Sequence, residues 1–368
     1  MNDSWFAVAN VRAIDSPALL VYPERIEENV RRMIARAGLD RLRPHIKTHK
    51  MPEVISLQRR HGIEKFKCAT IAEAEMAAAA GARQILLAYQ PVGPKAARLL
   101  ELIKKFPEAK FAAIADDESV VHQLSDVATR ARAKLPLLLD LDCGMHRCGL
   151  EPGERALELY RMMGSLPGLE VGGLHVYDGH IHDSNLEQRR QHWSEAFAAV
   201  EKFVEKLERE NFSIPLIVAG GTPTFPFHAA NPKVECSPGT CVFWDAGYAT
   251  KYPDLDFLPA ALLLTRVISK PTPDRLCLDL GHKSVASENP HPRVQFLNLP
   301  DARAVSHSEE HLVVETARAG EFRVGDCLYG MPWHICPTVA LYDEAAVVKN
   351  GQAETTWKIS ARTRRLTA

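Results

Sequence analysis

The stretch "KFAAIADDESVVHQLSDVATRARAKLPLLLDLD", residues 110–142, reads as strand, helix, strand. Its apolar runs, 110–116 and 135–142, are continuous rather than alternating, so each strand must be covered on both faces. The same rhythm extends in both directions. Upstream stand "RLRPHIK" (41–47), "FKCAT" (66–70) and "QILLAY" (84–89); downstream stand "LEVGGLHVY" (169–177), "IPLIVAGG" (214–221) and "VECSPGT" (234–240). Between them lie helical segments. "GPKAARLLELIKKF" has the i, i+3, i+4 apolar spacing of a packed helix, and "AEAEMAAAAGA" ends in Gly81, which fits a C-terminal cap.

Eight strand candidates separated by helices predict an α/β fold, a (β/α)8 TIM barrel over residues 16–250. A doubly wound open sheet is the alternative, but the GxGxxG expected after its first strand is missing. Beyond about residue 250 the long helices vanish. "ALLLTRVISKP", "DRLCLDLGH", "RVQFLNLP", "EEHLVVET" and "AAVVKNGQAETTWKISART" read as strands joined by turns. They predict a C-terminal all-β domain over 251–368, joined by residues 1–15.

Totals narrow the class. In 368 residues, 46% are hydrophobic and 25% charged, which suits a chain with a sizeable core. Lys plus Arg number 45 against 46 Asp plus Glu, without the basic excess of a nucleic-acid binder. The first residues show neither a basic n-region nor an apolar h-region, and no run is long enough to span a membrane. Eight cysteines contain no CxxC pair, so neither a zinc ribbon nor a disulfide framework is indicated. A cytoplasmic protein with reduced thiols is expected.

In such a barrel, function gathers where strands give way to βα loops. Those ends carry Lys47 and His49, Thr70, Tyr89, Asp116, the run from Asp142 to Arg147, His175, Tyr177, Gly220–Thr222 and Ser237–Thr240. A lysine desolvated at a barrel mouth can serve as an amine nucleophile toward a carbonyl. Turns in "AGGTPT" and "CSPGT", after the last two strands, can offer backbone N–H groups to a phosphate. An amine and a phosphate cradle together suggest pyridoxal 5'-phosphate.

"RPHIKTHK", "DCGMHRCG" (142–149) and "GGTPT" resemble the fold-type III pyridoxal-phosphate enzymes, the alanine racemase-like barrels with a C-terminal β domain. More narrowly they are similar to the D-threonine aldolase and D-serine dehydratase group. The resemblance runs from "DSPALLVYPERIEENV" to "PWHICPTVALYDE". It implies that Lys47 anchors the cofactor, Arg147 meets its phenolic oxygen, and Tyr177 lies near its pyridine nitrogen. It also implies that Gly221, Thr222, Gly239 and Thr240 form the phosphate turns.

In "MPWHICPTV" (331–339), His334 and Cys336 would share one face of a strand, and nitrogen with sulfur suits zinc. By itself HxC is a weak signal. The resemblance implies a divalent metal there, zinc or manganese, because the aldolase and dehydratase group carries H-x-C or H-x-D at this place. On the loop "YDGHIHD", His182 is a candidate general base.

The resemblance therefore implies a lyase acting on a small-molecule D-3-hydroxy amino acid, with the metal lowering the pKa of the substrate hydroxyl. Retro-aldol cleavage to glycine and an aldehyde is the leading expectation. Dehydration to a 2-oxo acid and ammonia is the alternative, and Cys336 points that way. A non-catalytic cofactor-binding protein and a racemase stay open. Related barrels pair head to tail, which implies a homodimer.

Overall fold

The computed structural model describes residues 4–368. It divides into two compact units. A β unit comprises the described residues up to Val30, Thr48–Val54 and Thr240–Arg362; a barrel unit comprises Arg31–Lys47, Ile55–Gly239 and Thr363–Ala368. No helix among the described residues is long and apolar enough to cross a membrane.

The chain opens with strand β1 (Ala18–Val21) and helix α1 (Pro23–Ala37), within which the division falls. Helix α2 (Pro52–Arg60) then leads to the barrel repeat. Strand β2 (Lys65–Cys68) is followed by α3 (Ile71–Ala79), β3 (Gln84–Leu87) by α4 (Lys95–Lys105), and β4 (Lys110–Ala115) by α5 (Glu118–Arg130). The series continues through β5 (Leu135–Leu141), α6 (Glu154–Ser165), β6 (Leu169–Val176) and α7 (Leu186–Arg209). It closes with β7 (Ile217–Ala219), α8 (Phe225–Ala230) and β8 (Glu235–Cys236).

Side chains start several of these helices. Thr70 accepts the Glu73 N–H at 3.0 Å while the Glu73 carboxylate accepts the Ala69 N–H, a reciprocal cap on α3. Asp117 and Asn185 cap α5 and α7 by accepting first-turn N–H groups. Gly81 adopts φ +84° just past α3, as its capping role requires.

Strands β2 to β8 form one parallel sheet in sequence order. The expected first strand, 41–47, is absent. Pro44 has no N–H to give to a ladder, so the segment cannot pair continuously. Residues 42–45 instead make isolated bridges to both sheet edges, Leu42 to Cys236 and His45 to Lys67. Arg43 N–H donates to Cys236 O at 2.9 Å, His45 N–H to Pro238 O at 3.0 Å, and Lys67 N–H to Pro44 O at 2.9 Å. The eighth position is thus filled by irregular backbone.

Inside the sheet, Leu86, Ile114, Leu138 and Val218 pack as an apolar layer. Between β6 and β7 the backbones come very close. Gly173 sits at φ +111°, and a Cβ added there would stand 1.9 Å from Leu216 O.

The β unit continues with α9 (Ala246–Lys251), β9 (Ala261–Thr272), β10 (Arg275–Leu278), β11 (Val294–Phe296), β12 (Arg303–His307) and β13 (Leu312–Glu315). Then follow β14 (Cys327–Pro332), α10 (Ile335–Val339), β15 (Glu344–Lys349) and β16 (Gln352–Lys358). Its pairing is antiparallel except where β1 lies parallel to β15. Strands β12 and β14 were not expected from the sequence. "RAVSH" is exposed along much of its length and carries little apolar pattern. The run of β14 merges with the HxC motif.

Gly173→Ala should cost roughly 3 kcal/mol or more, because left-handed strain and a backbone clash add together. Gly164→Ala, on an exposed face of α6, should change stability by less than about 1 kcal/mol. Urea unfolding of the two variants checks this.

Candidate active site

The irregular seam delivers Lys47. The segment turns at Ile46–Thr48 into one turn of 3-10 helix, and the Lys47 N–H donates to His45 Nδ1 at 3.3 Å. Lys47 is half-buried. Its ammonium lies 5.8 Å from the ring centre of Tyr177, the residue that follows β6 by one. Arg147 places its guanidinium 4.9 Å from the same ring centre. The structure therefore brings Lys47, Arg147 and Tyr177 together.

Arg147 is positioned by a tight loop. The Asp142 carboxylate accepts N–H bonds from Gly144 at 2.9 Å and His146 at 3.0 Å. Burial alone would raise this carboxyl, but those donors and the His146 ring hold it below its ordinary range. Gly149, at φ +95°, lets the chain double back onto β5; a Cβ there would stand 2.7 Å from the Asp142 N. A cavity of about 580 Å³ opens beside this loop, lined by His45, Lys47, Tyr89, Asp116, Asp140 and Arg147 among others.

Two turns follow β7 and β8. A Cβ on Gly221 would stand 3.1 Å from the Tyr177 ring, so this glycine admits the ring close to the turn. The Gly239 N–H is accepted by the Thr222 hydroxyl at 3.2 Å, which ties one turn to the other. Ser237 Oγ is buried with no hydrogen-bond partner among the described residues. A buried hydroxyl so placed needs an acceptor, and an oxyanion of a phosphate would supply it. Behind the first turn, buried Asp178 binds the Thr224 hydroxyl at 2.9 Å and His228 Nε2 at 2.7 Å. Thr240, the next expected phosphate residue, is buried and belongs to the β unit.

Two buried residues were missed, Lys67 and Asp140, the partners of His175. Strand register puts Lys67 beside Leu86, and His175 beside both Asp140 and Val218, on the inward face of the sheet. His175 Nδ1 donates to Asp140 Oδ1 at 2.7 Å, and Lys67 Nζ approaches His175 Nε2 at 3.5 Å. All three are at least 96% buried. Burial, with repulsion from Lys47, pushes the Lys67 amine down to about 7. Burial likewise lowers His175, so its imidazole is neutral and its Nε2 can accept from the amine. Charged letters inside the apolar runs "KFKC" and "LPLLLDL" were the available signal.

His182 is exposed on the loop after β6, beside Asp183. Its neighbour His180, rather than His182, lies against the 142–149 loop, where a Cβ on Gly144 would meet its ring at 2.9 Å.

In the β unit, His334 and Cys336 do not share a strand. Pro332 ends β14, His334 is the extended residue that precedes α10, and Cys336 lies in the first turn of that helix. The two side chains still meet. Burial opposes charge on the His334 imidazole, but the Cys336 sulfur and the Glu288 carboxylate outweigh it, raising the imidazole to about 9. Its Nδ1 lies 2.5 Å from Glu288 Oε1. Cys336 Sγ is 3.2 Å from the Thr48 hydroxyl and 3.6 Å from that of Thr240. A carboxylate on Nδ1 leaves Nε2 for a metal, the usual arrangement behind a histidine ligand. No group of three or more His, Cys, Asp or Glu placed to hold a metal ion occurs among the described residues, so His334 and Cys336 would need water or substrate to complete a coordination sphere.

A parallel α/β unit with a lysine at its seam, an arginine and a tyrosine beside it and two glycine-bearing turns after its last strands, in a chain that also carries an antiparallel β unit, defines a pyridoxal-phosphate enzyme of fold-type III. The chain belongs to the family of the alanine racemase N-terminal domain, which matches residues 21–246, and a putative serine dehydratase domain matches residues 260–348. It is 32% identical to a D-threonine aldolase from Arthrobacter sp over 95% of this chain and 93% of that one. It is 30% identical to a 3-hydroxy-D-aspartate aldolase from Paracoccus denitrificans (strain Pd 1222), over 95% and 92%. Among solved structures, a D-threonine aldolase from Filomicrobium marinum matches with a TM-score of 0.88 at 27% identity, covering 95% and 96%.

Lys67 offers a test by pH. An amine at about 7 in the fold and 10.5 as a free lysine disfavours folding fully below pH 7, and the penalty fades as pH rises to 10.5. Lys67→Met should therefore raise the unfolding free energy of the cofactor-free protein most at pH 6–7. The gain should shrink toward pH 10.5 in urea titrations run across that range.

Proposed function

We propose that this chain is a pyridoxal-phosphate- and divalent-metal-dependent lyase that cleaves D-3-hydroxy amino acids of the D-threonine type to glycine and an aldehyde. The similarity to a D-threonine aldolase along 95% of the chain carries the reading, together with the grouping of Lys47, Arg147 and Tyr177. Residues 16–250 would hold the cofactor, and residues 251–368 with 1–15 the metal.

Lys47 would hold the cofactor covalently through Nζ. Arg147 and Tyr177 would orient its ring, and Gly221, Thr222, Gly239 and Thr240 would hold its phosphate, with Ser237 as a further donor. When bound, this cofactor supplies an electron sink for the pair left on Cα when a bond there breaks. His334 and Cys336 would hold zinc or manganese, whose charge makes a nearby hydroxyl more acidic. His182 is assigned to take the hydroxyl proton; the Cα–Cβ bond then breaks and the aldehyde departs. Lys47, its amine freed when substrate binds, would return a proton to Cα. We further assign a homodimer on the family resemblance, and a cytoplasmic setting in which the cysteines stay reduced.

The second reading is dehydration to a 2-oxo acid and ammonia. Cys336 and the dehydratase match over residues 260–348 favour it. Incubation with D-threonine, cofactor and metal separates the two: glycine with acetaldehyde supports cleavage, and 2-oxobutanoate with ammonia supports dehydration.

Lys47→Ala should lose the visible absorption of bound cofactor along with activity. His182→Gln should lower kcat by about 100-fold or more with the cofactor spectrum retained. An unchanged kcat would place the base elsewhere.

A further inference from the structure

Helix α10 begins without a cap of its own. His334 occupies the capping position yet makes no side-chain cap bond, because its ring is turned to Glu288 and Cys336. The first N–H groups of a helix have no partner within it, and a buried one must find another. That of Ile335, the residue between His334 and Cys336, is taken by Asp245 Oδ2 at 3.0 Å. The other oxygen of the same carboxylate, Oδ1, caps α9 by accepting the Tyr248 N–H at 2.9 Å.

Two residues on, the Gly247 N–H donates to Trp333 O at 3.0 Å. A Cβ at Gly247 would stand 2.5 Å from that oxygen, so only glycine allows the approach. The backbone is therefore pinned on both sides of His334, by one short stretch of chain some ninety residues away in sequence. Capping α9 alone would not require this arrangement, since Ser, Thr or Asn serve as well. Asp245 is 1% exposed, and burial pushes its carboxyl up to about 6. Keeping a carboxylate in such a place makes sense when both oxygens are used.

We propose that Asp245, acting with Gly247, is a positioning residue for the divalent metal: it caps α10 in place of His334, freeing the imidazole and fixing it relative to the Cys336 sulfur. This rests on the reading of His334 and Cys336 as metal ligands.

The test uses the full chain loaded with pyridoxal phosphate, stripped of metal by a chelator and titrated with Co²⁺. Affinity comes from chelator competition, and the visible d–d bands of bound Co²⁺ report ligand geometry. Asp245→Ala and Gly247→Ala should each bind Co²⁺ about 10- to 100-fold more weakly, with altered bands and an unchanged cofactor spectrum. Asp245→Asn, whose amide oxygen can accept only one of the two N–H bonds, should fall between them and the parent.

Wild-type affinity and bands in Asp245→Ala and Gly247→Ala, even with lower melting temperatures, would reduce the residue to a helix cap and overturn the proposal. Should Asp245→Ala fail to fold, Gly247→Ala decides, since it moves the turn without touching a carboxylate. His334→Ala separates the two levels. Loss of Co²⁺ there with retention in the Asp245 and Gly247 variants sinks this inference alone; retention in His334→Ala removes the metal reading, and this inference with it.

Discussion

Three backbone hydrogen bonds at the seam of the parallel sheet hold the segment on which the barrel unit's chemistry depends. They run from Arg43 to Cys236, from His45 to Pro238, and from Lys67 to Pro44. Proline at position 44 can accept but cannot donate, so the chain is held at this point without being committed to a strand. It is free to turn within two residues and raise Lys47 beside Tyr177. A regular eighth strand would have continued past that point with side chains alternating in and out. Because Lys67 is bonded to the same seam, the position of its buried amine is linked mechanically to that of the half-buried Lys47.

The interior of the sheet is apolar in one layer and titratable in the next. Leu86, Ile114, Leu138 and Val218 make the first; Lys67, Asp140 and His175 lie on the same inward face of the same or adjoining strands. An isolated amine in that environment would cost several kcal/mol. The cost is moderated by letting the amine approach neutrality and by a polarised imidazole whose far nitrogen is held by a carboxylate. Asp245 in the β unit shows the same economy, with each buried oxygen given a backbone donor.

Much of this was legible in the sequence because the strands are continuous apolar runs alternating with helical spacing, and Gly81 marks the end of one helix. Lys47, Arg147 and Tyr177 could be singled out because each falls at or near an expected strand end in a distinctive motif. What stayed hidden has a common physical cause, tertiary rather than local determination. The 41–47 segment has strand composition, and only Pro44 and the two sheet edges beside it decide otherwise. The strand reading of His334 and Cys336 failed because two prolines, Pro332 and Pro337, bracket a change from strand to helix. Lys67 and Asp140 were invisible as partners because nothing local brings residues 67, 140 and 175 together. Asp245 is a helix cap to any local reading; its second role depends on a turn ninety residues away.

Strand β1 is paired with β9 antiparallel and β15 parallel, and its Leu19, Leu20 and Val21 are buried to within 1%. Burial of each such side chain is worth about 1.5–3 kcal/mol. Yet β1 leaves the ribosome some 240 residues before the start of β9. At roughly 5–20 residues per second, an apolar strand with both edges unpaired must wait on the order of 10–50 s for its first neighbour. Biosynthesis therefore leaves a sticky N-terminal ribbon uncovered while the whole parallel sheet is being made, and production of this protein in a foreign host will be governed by what shields that ribbon in the interval.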